Sequence, residues 1–379
     1  MAGTSMIVLT AGIIGTSIAP FPGLATLPVA LGVVGVASAT LPTGKLLARY
    51  GRRRVFMSYS VLAISAAVLA ASSLAYQSFP GFCSATFLTG WATAAGHQYR
   101  FAALEAVPAP LAPRATAALL LGGLLGAYIG PELAVAGRWL LPVEFSGSFS
   151  LLALAYLGGL MIVSFYRDSG TSSPERQGRG RPTLAILRTR PAMMAVVAAG
   201  VAYGVMSLIM TATPISMTLH SGHSLEASKM VIQSHIAAMY LPSLVYGSLC
   251  AWLGFMRMLW TGVVILFTCL VVALIDTQLL HYWLALILLG VGWNFLFLTG
   301  TNLLPRGYRP EEKFRVQSSN DFVVFSVQAL VALSSGFLLH RWQWHGLLWA
   351  CLPLLLFFML FLGRNGPSIE HGIQGKRPD

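Results

Sequence analysis

Charge is what this 379-residue chain has least of: 9% of its residues are charged, and 12 acids stand against 24 lysines and arginines. Soluble domains carry roughly a quarter, so a chain this poor in charge cannot cover a water-facing surface. Cysteine is sparse as well. Its four copies, Cys83, Cys250, Cys269 and Cys351, fall inside apolar runs without metal-type spacing, which argues against a disulfide scaffold and a metal site. The chain has no G-x-x-x-x-G-K-[ST] phosphate loop, since Gly44-Lys45 lacks the upstream glycine, and this excludes direct ATP drive by the chain itself. No paired acids and no His-rich cluster share one depth in the apolar runs, which argues against an intramembrane enzyme, and no cofactor is expected. The opening "MAGTSMIVLT" has no basic leader, so a cleaved signal is not expected.

Hydrophobic residues, by contrast, make up 56% of the chain, and mean hydropathy is +0.72. About 18 to 25 apolar residues span a bilayer as a helix, and twelve runs of that kind can be marked off by charge clusters and Pro/Gly turns. They cover 1–20, 24–43, 55–76, 79–99, 113–134, 147–166, 192–219, 226–250, 256–276, 280–303, 317–339 and 345–363. The runs are continuously apolar rather than alternating, which favours helices over barrel strands. The expected fold class is an all-α integral membrane protein of twelve transmembrane helices.

The basic residues are concentrated in alternate connections. With the first helix running outward from the cytoplasm, 21 of the 24 lie on the cytoplasmic side, and only Arg138, Lys229 and Arg341 lie outside. Basic residues are retained on that side during insertion, so both termini are expected to be cytoplasmic in a bacterial inner membrane. The net charge of +12 therefore reads as topology and contact with anionic lipid head groups, not as nucleic-acid binding.

The longest polar interruption, 166–190, contains "RQGRGRP" and suits a cytoplasmic linker. It separates an N-terminal six-helix bundle, 1–165, from a C-terminal one, 191–363, with a cytoplasmic tail at 364–379. The halves echo one another: Gly44-x6-Gly51 answers Gly247-x6-Gly254, Gly90-Trp91 answers Gly292-Trp293, and Arg114 answers Arg315. Parallel repeats with a solute site between them are a recurring transporter plan.

The loop "GKLLARYGRRR" resembles the G-x-x-x-D-R-x-G-R-R pattern of the major facilitator superfamily. Gly44, Arg49, Gly51, Arg52 and Arg53 fill every place but one, with Ala48 where the family has Asp. "GHQYRFAALEAVP" and "GYRPEEKFRVQSSNDF" are similar to the corresponding loops of a bacterial permease branch. The resemblance implies two pseudo-symmetric bundles that rock about a central site. It also implies a cytoplasmic latch in which Arg49 or Arg52 pairs with Glu105 or Asp321, the motif glycines allowing close approach; the alternative is a loop that only fixes topology. Gly126, Gly130 and Pro131 in "GAYIGP" resemble the core of an antiporter motif, though plain helix packing explains them equally. In such relatives further apolar residues precede the first helix, which implies a shortened helix or an internal start here.

Polar groups at mid-depth are costly and therefore informative. His235 is a candidate for proton coupling or the substrate cavity, or else a neutral histidine bonded between helices. Gln233, two residues away, must face another side. Trp91, Trp293 and Asn294 are candidate cavity residues, and Tyr203, Met206 and Met210 follow helical spacing on the seventh helix, where core packing is the competing reading. Glu132 is a second proton-coupling candidate, or a partner for Arg138. His220 and His223 lack a third ligand, so no metal site is expected.

The function expected from these features is a monomeric secondary transporter that moves a small organic solute by alternating access, coupled to protons, with efflux slightly favoured. Vitamin or metabolite uptake by the same fold is the alternative, and a non-transporting membrane receptor or assembly partner is the rival class.

Overall fold

The computed structural model describes residues 1–99, 102–103, 107, 112–167 and 181–374, and these form helices and turns with no strand among them. Among the described residues, the helices of the first half are α1 (Ala2–Ile18), α2 (Leu27–Tyr50), α3 (Arg52–Ala75), α4 (Phe79–Gly96), α5 (Ala112–Ala136) and α6 (Ser146–Ser164). A short α7 (Thr183–Leu187) precedes α8 (Arg190–Ile215), α9 (Leu225–Tyr240), α10 (Ser243–Ile275), α11 (Leu279–Leu303) and α12 (Lys313–Gln374). Two of these contain a break: α10 at Gly254, with φ 78° and ψ 165°, and α12 at Gln343, with φ 55° and ψ −166°. Dividing them there, and running α9 on into 243–253, gives twelve membrane-crossing segments in two six-helix bundles.

Helix ends follow local chemistry. Ser78 and Ser224 cap α4 and α9 by accepting from the Gly81 and Ala227 amides, which satisfies donors that a helix start leaves open. Gly51 separates α2 from α3 with φ 79° and ψ 163°, almost the same conformation as Gly254. That region of backbone space is open essentially only to glycine. The two glycines are 203 positions apart, so the repeat seen in sequence is a repeat of backbone geometry.

Packing inside each bundle depends on small residues. A Cβ on Gly90 of α4 would strike the Gly32 carbonyl of α2, and one on Gly290 of α11 would lie 2.7 Å from the His235 carbonyl of α9. Gly32 and His235 are also 203 positions apart. By its contact, the counterpart of Gly90 in the second half is thus Gly290, two residues before the Gly292 of the Gly90-Trp91 and Gly292-Trp293 pairing. The bundles meet where α2 lies along α12, α1 along α8 and α5 along α9. Large apolar side chains such as Leu121, Leu125, Leu154, Met161, Leu244, Val264 and Leu360 are exposed around the perimeter, as a lipid-facing surface requires.

Candidate functional site

The described residues bring an aromatic cluster together on α8, α11 and α12. Trp293 and Phe297, one turn apart on α11, stack with centroids 4.7 Å apart and planes at 18°. Tyr203 on α8 sets its ring edge-on against Trp293 at 5.1 Å and Phe297 at 5.5 Å. It meets Phe325 of α12 at 5.7 Å. Phe325 in turn lies 5.5 Å from His97, the residue that ends α4 in the first bundle. Edge-to-face and offset arrangements of this kind are the favoured geometries of aromatic pairs. Trp293 is 4% exposed, whereas Tyr203, Phe297 and Phe325 are half-buried. Met206, one turn from Tyr203, and Met210 are both buried. The Trp293 indole nitrogen is buried and has no hydrogen-bond partner among the described residues.

The other cavity candidates sit apart from this cluster. Trp91 donates from Nε1 to Ser38 Oγ at 2.9 Å, tying α4 to α2, and no ring contact joins it to Trp293 among the described residues. Asn294 donates to the Met239 carbonyl and to Ser243 Oγ, both at 2.7 Å, so it braces α11 against the α9–α10 junction. His235 is 1% exposed, and its Nδ1 lies 2.7 Å from the Leu286 carbonyl of α11. A carbonyl can only accept, so Nδ1 carries the proton, and the ring is held in the α9–α11 seam.

Glu132 makes a different connection from the one weighed in sequence. Its Oε2 accepts from Lys229 Nζ at 2.9 Å and its Oε1 from Gln233 Nε2 at 3.0 Å, while Arg138 instead pairs with Glu144 at 2.6 Å. Two of the three cations away from the basic face are therefore neutralised where they stand. His223 is bonded through Nε2 to the Thr277 carbonyl at 2.9 Å, and His220 lines a small cleft with Thr16, Thr26, Gly336 and His340.

At the basic face, Arg53 donates to the Ser164 carbonyl at 2.8 Å, joining α3 to the end of α6. The Arg49 guanidinium lies over the Tyr50 ring. Asp321 Oδ1 accepts from Asn320 at 3.1 Å. Arg52, Arg53 and Asp321 each have a further interaction partner, and Glu105 lies outside the described residues. Gly44 is not the site of a close approach: a Cβ there meets nothing within 4 Å among the described residues. The turn needs its glycine at Gly51 instead, for φ. Gly126 and Gly130 face α1, where a Cβ on Gly130 would collide with the Ala2 carbonyl and the Ser5 hydroxyl. Pro131 follows within α5.

A family model described as Major Facilitator Superfamily matches residues 1–332. The chain belongs to the major facilitator superfamily. It is a multi-pass membrane transporter of small solutes and not an enzyme. It is 34% identical over 358 residues to the riboflavin transporter RfnT of Brucella anthropi, covering 92% of this chain and 88% of that one. It is also 28% identical to the uncharacterised MFS-type transporter YdeG of Bacillus subtilis, over 85% of this chain and 79% of that one. A crystal structure of a variant of the nucleoside transporter NupG superposes with a TM-score of 0.73, covering 96% of this chain and 98% of that one, at 10% identity. That likeness shows the fold alone.

Phe297, Phe325 and His97 were not singled out in the sequence. The Trp293–Phe297 spacing of one turn was the available signal, whereas the approach of Phe325 and His97 depends on how α4, α11 and α12 come together.

Proposed function

We propose that this superfamily member is a permease for a planar heteroaromatic vitamin, with riboflavin as the first solute to test. It would act as a monomer in a bacterial cytoplasmic membrane, with the basic face and both termini toward the cytoplasm. The observation that carries the reading is the cluster of buried Trp293 with half-buried Tyr203, Phe297 and Phe325, which offers ring faces and edges and no fixed charge. Aromatic surface of this kind suits a flat, largely neutral ring system better than a polyanion, which would call for arginines inside the bundle. The relationship to a riboflavin transporter supports the same choice of solute.

The test is riboflavin flux into proteoliposomes, read by the vitamin's fluorescence in both loading directions. Tyr203→Ala and Trp293→Ala are expected to raise KM by about 2- to 10-fold, the loss of one aromatic contact. Trp252→Ala, on an exposed side chain, leaves it unchanged. No riboflavin flux from verified protein sinks the solute assignment. Because His235 is enclosed in a helix seam and Glu132 is held by Lys229 and Gln233, the reading further holds that neither carries a coupled proton. An imposed pH gradient then leaves the initial rate of flux unchanged, and acceleration by the gradient would reinstate coupling.

A further inference from the structure

On the face opposite the basic loop, the two bundles are joined by a polar clasp, and we propose that Glu132, Lys229 and Gln233 form the gate that holds this face shut. Tyr128 and Glu132 are one turn apart on α5, and Lys229 and Gln233 are one turn apart on α9, so each pair presents one face of its helix. Lys229 Nζ reaches Glu132 Oε2 at 2.9 Å, while Gln233 Nε2 donates both to Glu132 Oε1 at 3.0 Å and to the Tyr128 carbonyl at 3.1 Å. All three bonds cross between bundles. A second seam closes the same end: at Gly336 of α12 a Cβ would collide with Thr26 Oγ1 and lie 2.8 Å from the Gly23 carbonyl.

The clasp has the strength of a reversible contact. Lys229 and Glu132 are 20% and 44% exposed, and partly wetted ion pairs contribute little and are screened by salt. The Arg181–Glu312 pair on the basic face is different: its carboxylate is 2% exposed, and it ties the linker to the second bundle instead of one bundle to the other, so that pair stays closed while the bundles move. A gate must hold one state without trapping it, because the population of two conformations shifts only by their difference in free energy. Glu132 and Gln233 thereby act as positioning residues for the transport cycle, irrespective of the solute.

The experiment measures the distance between spin labels at Tyr76 and Gln278, exposed positions on this face in opposite bundles. The protein is full-length in lipid nanodiscs, with the four native cysteines replaced and no solute added. Lys229→Met and Gln233→Ala are each expected to shift the distribution to longer distances, and the exchange E132K/K229E to restore the short one. An unchanged distribution in both single variants, or a swap that leaves the lengthened population in place, overturns the gate. Gln233→Ala removes no charge, so it decides the matter if the charge variants fold poorly. The readout requires no transport, so failure of the riboflavin assignment leaves it standing.

Discussion

At Glu312 a carboxylate is enclosed to 2% exposure and still ionised. Arg181 donates to it from Nε and Nη2 at 3.1 and 2.8 Å, and the Arg181 and Arg309 amides add two more bonds. Those bonds, the Arg181 side chain first, hold its pKa down to about 2, against an ordinary value of 4.5. The sign follows from the depression: the contribution to stability is complete above pH 4.5 and is lost as the pH falls toward 2. The difference in melting temperature between wild type and Glu312→Gln in detergent should therefore be largest above pH 4.5 and shrink through that window. A constant difference would mean that the carboxylate's charge is not what stabilises the loop. Neither residue stood out in the sequence. Arg181 lies at the end of an arginine-rich linker, 131 positions from its partner, and no periodicity connects them. Tyr203, Trp293 and His235 were legible as unusual side chains at mid-depth, but which of them share a site depended on the rotation of each helix.

Glycines divide into those the helices need and those they do not. Gly51 and Gly254 hold backbone angles that a side chain strains, whereas a Cβ on Gly44 or Gly247 would meet nothing within 4 Å among the described residues. Gly254→Ala should cost about 1–3 kcal/mol of backbone strain, and Gly247→Ala should stabilise by about 0.5–1 kcal/mol as an ordinary helical replacement. Thermal unfolding of the two variants, taken side by side, checks both signs. On α5, Gly130→Ala forces α1 and α5 apart and should destabilise, while Gly126→Ala, with its nearest neighbour at 3.4 Å, is tolerated. Equal melting temperatures for that pair would remove the close seam. Twelve segments and their approximate ends were readable from hydropathy, since length and apolar content alone set them. The gap left at 340–344 between the last two runs coincides with the break of α12 at Gln343, although no turn signal announces a non-glycine residue at φ 55° there.

For the whole molecule, the uneven placement of charge predicts the orientation. In a cysteine-free background, Arg54→Cys should react with a membrane-impermeant maleimide only after cells are opened, and Gln278→Cys should react in intact cells. The reverse pattern would invert the topology. The family, the helix count and the halves were legible because each is written in runs tens of residues long. The clasp across α5 and α9 was not, because it joins short polar side chains from separate bundles. The twin turns at Gly51 and Gly254 carry one more consequence. Their backbone angles agree within 2°, yet the residues that follow are Arg52 and Arg53 in one half and Phe255 and Met256 in the other. The two halves therefore share the shape of this corner and differ in its chemistry. Backbone form at this corner is thus independent of charge, and the basic cluster can act at one copy without being needed to build the turn.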